Sequence, residues 1–437
     1  MGPFMISSVN VALPTIQHEL AMTAVELGWV ATSYLLAMAV GLIPAGKIAD
    51  IHGRKKVFSI GLLIYTIGST AAVIAGNTVV FLALRVVQGL GAALFVTTGM
   101  AILTSVFPPH KRGRAIGVYV SAVYLGLSVG PFIGGVMTQQ FGWRSIFAVM
   151  FPLGAMSIVV TRVFLKGEWA DEESHRLDVP GSLIYAIAIV ALVYGASILP
   201  GATGWILVPV GILGLVLFFL QQRRALDPVF EVTLFLENRT FTFSSLAALL
   251  NYSATFAVTF MMSLYLQYIK GMTPQTAGSI LMAQPVVMAL FSPLAGRLSD
   301  RIQPRLLATA GMSITTVGMV VFTQLAAPSS ISFITGNLIL LGLGFALFSS
   351  PNMSAIMGAV DKKDYGLASG TVATMRLLGQ MTSMAIATVV LTYFVGHHVI
   401  EPANYDRFMD SVQMVFSVSA ILCTVGIYFS MFRGRLR

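Results

Sequence analysis

Gly46-Lys47-Ile48-Ala49-Asp50-Ile51-His52-Gly53-Arg54-Lys55-Lys56 separates two long apolar stretches, and its reading decides the fold. The two glycines allow a tight turn with awkward dihedrals. Asp50 is placed to cap a helix or to meet a positive helix N-terminus. The cations hold such a turn on the cytoplasmic side of a membrane.

The composition around this stretch agrees. The chain has 437 residues, of which 56% are hydrophobic and 10% charged. A soluble domain carries roughly 25% charged residues. Mean hydropathy is +0.85. So few polar residues cannot cover a globule in water, and lipid must be the solvent for most of the surface. Disorder, a secreted disulfide scaffold and an ordinary soluble enzyme are excluded. The single cysteine, Cys423, excludes an internal disulfide and a cysteine-based metal cluster. A net charge of +9 would suit a nucleic-acid partner, but the basic residues are scattered in small groups, so none is expected.

A span needs about 20 mostly apolar residues. Such segments lie near 1–17, 27–46, 57–76, 79–107, 114–138, 145–164, 180–199, 204–221, 240–267, 276–297, 305–326, 331–356, 366–396 and 408–432. That predicts an all-α integral membrane protein of fourteen transmembrane helices, the first of them short. The opening lacks the basic region of a secretory signal and reads as part of the first helix. One set of alternate loops holds 21 lysines and arginines, and the opposite set holds only Arg144, Lys270 and Arg407. Arg85 and Arg376 fall within spans. This asymmetry predicts a multi-pass protein of the cell membrane with both termini cytoplasmic.

An internal repeat organises the spans. Gly89-Leu90-Gly91 in span 4 returns as Gly342-Leu343-Gly344 in span 12, 253 residues later. Gly113, Gly117 and Gly126 return as Gly366, Gly370 and Gly379 at the same offset. Gly46 and Asp50 return as Gly296 and Asp300. Two six-helix bundles in parallel pseudo-repeat follow, residues 1–165 and 227–437. Between them lies a cytoplasmic loop with two inserted helices, residues 166–226. Halves related by an axis along the membrane normal suit a transporter that rocks around a midplane site. The acidic stretch Lys166–Asp178 reads as a solvated loop.

The Gly46–Lys56 run resembles the signature loop of the major facilitator superfamily. That resemblance implies a cytoplasmic latch made by Gly46, Asp50, Gly53, Arg54 and Lys55. Arg114 and the start of span 13 near Gly366 would be the partners of Asp50. Arg85-Val86-Val87-Gln88-Gly89 resembles the superfamily's second motif, whose arginine is implicated in proton transfer. A buried guanidinium is costly and usually paired or functional. Arg85 also lies about two turns from its helix end, near enough to snorkel.

Gly126, Gly130 and Gly134 line one face of span 5, and Gly135 follows; Pro131 removes a backbone hydrogen bond. This pattern resembles the motif of the antiporter branch. Asn10-Val11-Ala12-Leu13-Pro14, Pro351-Asn352 and Arg376-Leu377-Leu378-Gly379 add to a resemblance that covers the whole chain, to the fourteen-helix drug:proton antiporter family. It implies efflux of amphipathic small molecules by alternating access, driven by protons. It implies no cofactor and no enzymatic activity, and the residues supply neither a nucleophile–base pair nor a phosphate-binding glycine loop.

The chain departs from that family at Met5, where many members carry aspartate. All 17 acidic residues fall in loops or at helix ends. No midplane carboxylate is left to carry a proton, and arginine stays protonated. Arg376 lies about ten residues into span 13, roughly 15 Å deep. It suits an anionic or polar neutral solute, or equally a structural role bonded to carbonyls. Transport of an endogenous organic anion, or transport without proton coupling, is the alternative reading. Further cavity candidates are Asn10, Tyr34, Tyr124, Asn251, Tyr252 and Gln284, each also readable as a helix–helix hydrogen bond. The 23 methionines suit an adaptable cavity.

Overall fold

The computed structural model describes residues 1–107, 109–168, 177–199, 201–225, 232–299, 301–360, 365–396 and 398–434. At 104, 109–117, 120, 233, 365–367 and 369 only the backbone is described. Among the described residues all regular structure is helical. The first helices are α1 (Gly2–Leu20), α2 (Ala24–His52), α3 (Arg54–Ala72), α4 (Thr78–Val106) and α5 (Pro109–Phe141). They are followed by α6 (Arg144–Phe164), α7 (Val179–Ser197) and α8 (Ala202–Gln222). After a short helix, Val232–Glu237, come α9 (Arg239–Ile269), α10 (Pro274–Ser299), α11 (Pro304–Thr323), α12 (Ile331–Gly358), α13 (Tyr365–Phe394) and α14 (Pro402–Phe432).

Twelve of these helices are long and apolar enough to cross a membrane. The two that fall short are α1, which carries Asn10, Gln17, His18 and Glu19, and α3, which opens on Arg54, Lys55 and Lys56. Local chemistry sets the helix starts. Thr23 and Glu26 form a capping box on α2. Asn77, Asp178, Asn238, Thr273 and Ser330 accept from the first-turn amides of α4, α7, α9, α10 and α12. One boundary differs from the sequence expectation. Gly46 and Asp50 are not in a turn, because α2 runs on to His52. The turn is Gly53 alone, at φ +99.

Lipid gives helices no hydrophobic reason to associate, so close packing at small residues takes over. In α4, a Cβ on Gly89 would lie 2.8 Å from Ala37 Cβ of α2, and one on Gly91 would lie 2.5 Å from Tyr65 N of α3. The repeat glycines do the same work. A Cβ built on Gly342 would lie 2.5 Å from Gln284 O of α10, and one on Gly344 2.8 Å from Thr315 N of α11. Helix α5 has two partners. Gly126, Gly130 and Gly134 seat α1, where a Cβ on Gly134 would come 2.7 Å from Ser8 Cα. Ser8 Oγ donates to Gly130 O at 2.9 Å. Gly135 faces α10, where an added Cβ would come 2.9 Å from Gln275 Cα, and Gly278 of α10 abuts the Pro131 carbonyl. Helix α13 meets α9 in the corresponding way, and a Cβ on Gly379 would lie 2.6 Å from Leu249 O.

Helices α7 and α8 pack on one another through Gly195, Gly204 and Gly211. Most of α8 is exposed, including Trp205 and Ile206. Helix α7 touches both α2 and α13. Trp29 and Tyr194 stack at 5.9 Å, and Thr392 Oγ1 donates to Ser197 O at 3.4 Å.

Overpacking a close helix contact costs about 1–3 kcal/mol. Gly134→Val is therefore expected to lower the stability of the purified protein by that amount in a detergent thermal melt. Nothing lies within 4 Å of a Cβ built on Gly336. Gly336→Ala is expected to stay within about 0.5 kcal/mol of the parent.

Candidate functional site

Buried polar groups form clusters within each of the two sets of helices, α1–α6 and α9–α14, and along the seam between them. The first cluster is built on Arg85, which is 1% exposed. Its Nε donates to Val30 O at 2.9 Å, and its Nη1 to Gln88 Oε1 at 2.7 Å. Gln88 Nε2 passes the chain on to Ser69 Oγ at 2.9 Å. The guanidinium lies over the Tyr34 ring, 4.5 Å from its centroid. Arg85 does not snorkel: it is bonded inward, and among the described residues no carboxylate contacts it. Carbonyl, amide and π dipoles solvate the charge instead. Asn10, Tyr34 and Arg85 line a cavity of about 10 Å³ with Phe256 of α9. That is room for about one water.

A second cluster joins three of the sequence candidates. Tyr124 of α5 and Ser349 of α12 meet at 3.4 Å, hydroxyl to hydroxyl. Tyr252 of α9 lies beside Ser349 and beside Arg376 of α13. Tyr252 stands edge-on to Phe345 at 5.4 Å. Asn251 is fully buried and turns away from any partner, with both amide atoms unbonded. Gln284 is buried, and its carbonyl packs on Gly342. Met5 is completely buried.

Away from the α2–α3 turn, hydrogen bonds cross the seam from side chains and backbone. Ser263 Oγ donates to Asn10 O at 2.7 Å and Gln267 Nε2 to Val11 O at 2.9 Å. Ala24 N donates to His398 O at 2.9 Å, and Tyr268 bonds to Gln17.

At the α2–α3 turn, Arg54 donates through Nε and Nη2 to Asp50 Oδ1 at 3.0 and 2.8 Å. Its Nη1 reaches Ser105 Oγ of α4 at 2.9 Å. Asp50 thus pairs within its own motif. The side chain of Arg114, Asp300 and the surroundings of Gly366 lie outside the described residues. Sequence reasoning missed a further contact. Glu168, read as part of a solvated loop, caps α3 by accepting from Lys55 N at 2.7 Å and Lys56 N at 3.2 Å. Lys55 Nζ donates to Leu165 O at 2.5 Å. A side chain at Gly53 would strike the Glu168 carboxylate.

Arg433 was also missed, being counted among the tail cations. It is 1% exposed and donates to Asn352 Oδ1 at 2.6 Å, Ser244 Oγ at 3.3 Å and Pro304 O at 2.9 Å. It so ties α14 to α12, α9 and α11. Burial, and then the Arg305 charge, push its guanidinium down to about 10. The signal available in the sequence was Asn352, an amide following a helix-interior proline.

An all-helical bundle with a polar seam between two similarly packed sets of helices has the architecture of a membrane transporter. The chain belongs to the major facilitator superfamily, whose sequence profile, described as Major Facilitator Superfamily, matches residues 1–235 and 244–436. It is 30% identical over 433 residues to the riboflavin transporter RibZ of Clostridioides difficile (strain 630), covering 98% of this chain and 93% of that one. It is 32% identical over 424 residues to the multidrug resistance protein Stp of Mycobacterium tuberculosis (strain CDC 1551 / Oshkosh), covering 94% and 78%. Among solved structures, a bacterial homologue of the human lysosomal transporter Spinster superposes with a TM-score of 0.67 at 17% identity, covering 99% and 94%.

Removing one partner of a buried hydrogen-bonded group costs about 1–3 kcal/mol. Arg433→Ala is expected to destabilise the protein by that much in a thermal melt, since Asn352 Oδ1 loses its donor. An unchanged melting temperature would contradict the bridging role.

Proposed function

We propose that this chain is a fourteen-helix drug:proton antiporter, exporting amphipathic small molecules from the cytoplasm by alternating access. The observation that carries the reading is the double seat of α5. Gly126, Gly130 and Gly134 hold α1, while Pro131 and Gly135 hold α10, so the antiporter-type motif lies on the joint between residues 1–165 and 227–437. Those segments are the two moving bundles, with α7 and α8 in the intervening 166–226. The multidrug-resistance relative supports the efflux reading, while the riboflavin transporter shows that relatives of equal similarity serve other solutes.

In this reading α1 and α3 also span, which makes fourteen. The α2–α3 turn is cytoplasmic, as are both termini, and the host is the cell membrane. The cross-seam hydrogen bonds away from that turn then lie on the outer side. Asp50, held by Arg54, whose guanidinium also reaches Ser105, is the latch of the inner gate, and Gly46, Gly53, Lys55 and Arg114 are the further latch residues implied by the motif. Arg85 and Gly89 join α4 to α2, and Gln88 joins it to α3, so movement of α2 is felt at the buried guanidinium. Proton coupling has no midplane carboxylate to use, because Met5 stands in the aspartate position. Glu26 is tied into the Thr23 capping box, which leaves Asp50 as the carboxylate on the moving turn.

The test is proton movement in everted vesicles. The lumen is acidified, and lipophilic cations, neutral compounds and anions are added in turn. Alkalinisation by one class is expected, and Asp50→Asn is expected to abolish it with expression intact. Full turnover in Asp50→Asn would remove the latch from the mechanism. Orientation is tested separately. Cys423 is fully buried, so introduced cysteines can be labelled against a silent background. In intact cells an impermeant maleimide is expected to label Gly142→Cys but not Lys56→Cys.

A further inference from the structure

We propose that Arg376, Tyr252, Ser349 and Tyr124 form an anion-selecting solute site, and that the exported molecule carries an acidic group such as a carboxylate or sulfonate. This rests on the transport reading and names its substrate class. Four helices deliver the cluster: α5 from one side of the seam, and α9, α12 and α13 from the other. Arg376 is only partly buried, unlike Arg85. Phe345, edge-on to Tyr252, adds apolar ring surface beside the polar groups. An amphipathic anion needs both features.

Charge decides the sign. The charged residues deep within the spans are Arg85 and Arg376, and the acidic residues lie in loops or at helix ends. Arg85 is spent on Val30 O and Gln88 and is closed to solvent. Arg376 has hydroxyl dipoles as neighbours. A carboxylate or sulfonate would replace them with charge-assisted, bidentate hydrogen bonds, roughly twice as strong as neutral ones. A lipophilic cation would meet two like charges and no counter-charge in a medium that screens poorly.

The same site reaches across the joint. The Tyr124–Ser349 contact links α5 to α12 at 3.4 Å, the long end of hydrogen bonding. A solute anion that recruits Ser349 and Tyr252 to Arg376 takes Ser349 from Tyr124. Binding would thereby release a contact between the two bundles.

The test compares two xanthene dyes of similar size and opposite charge, carboxyfluorescein and tetramethylrhodamine methyl ester. Their equilibrium binding to the purified full-length protein in detergent is read by fluorescence anisotropy. The parent is expected to bind the anion at least about tenfold more tightly than the cation. Arg376→Gln is expected to remove that preference, and Arg376→Lys to keep most of it. Tyr252→Phe is expected to weaken anion binding severalfold, which keeps the test intact if Arg376→Gln fails to fold. Equal or tighter binding of the cation overturns the proposal. So does an unchanged anion affinity in Arg376→Gln, or the absence of carboxyfluorescein binding up to about 1 mM. Anion binding by a protein that moves no dye in energised vesicles would support the site while overturning the transport reading. Proton-driven movement of the cationic dye without anion binding would do the reverse.

Discussion

Glycine backbone pressed against the backbone of a neighbouring helix is the contact on which the rest of this arrangement depends. Lipid tails are as apolar as leucine, so burial alone cannot choose one helix neighbour over another. Close approach can, because dispersion falls steeply with distance. Helix α5 has such contacts on two faces. Its Gly126–Gly130–Gly134 face takes α1, and Gly135 takes α10. The glycines of α4 and α12 repeat one pattern in the two sets of helices. These contacts fix where the polar side chains fall, and so they create the seam.

The seam then has to accommodate positive charge without negative charge. Arg85 shows one solution, in which a carbonyl, an amide and a ring face stand in for a counterion. Hydrogen bonds to a charged group are worth about 1.5–3 kcal/mol each, so two of them and a cation–π contact offset much of the desolvation cost. Arg433 uses the same solution at the far end of its bundle, with Asn352, Ser244 and the Pro304 carbonyl. Arg376 is treated differently. It stays half-buried beside hydroxyl groups, a setting that leaves the guanidinium able to take another partner.

Much of the fold was legible because lipid constrains composition strongly. The spans, the glycine stripes and the repeat all follow from residue spacing. The joining of Tyr124, Tyr252 and Arg376 was not legible, since it depends on how four helices rotate against each other. The partners that the sequence suggested for Asp50, Arg114 and the start of span 13, have side chains outside the described residues. The partner that the structure gives is Arg54, four residues on and across the Gly53 turn, because α2 continues to His52. Glu168 and Arg433 were hidden for a common reason. A carboxylate in an acidic loop and a cation in a basic tail both look like solvated surface, and their partners are backbone amides, a carbonyl and two uncharged side chains that leave no charge pattern. The snorkelling alternative for Arg85 failed because an inward route to Val30 O and Gln88 was available at closer range.

Helix α7 bears on how a membrane treats such a joint. It lies against α2 through Trp29 and Tyr194, and against α13 through Ser197 and Thr392. A gap that widens and narrows between two bundles in a bilayer invites acyl chains to wedge into it. With α7 against α2 and α13 and α8 outside it, that side of the joint faces protein. In the proposed alternating-access cycle the pair would work as a gasket, sliding against both bundles and keeping hydrocarbon out of a path meant for solute.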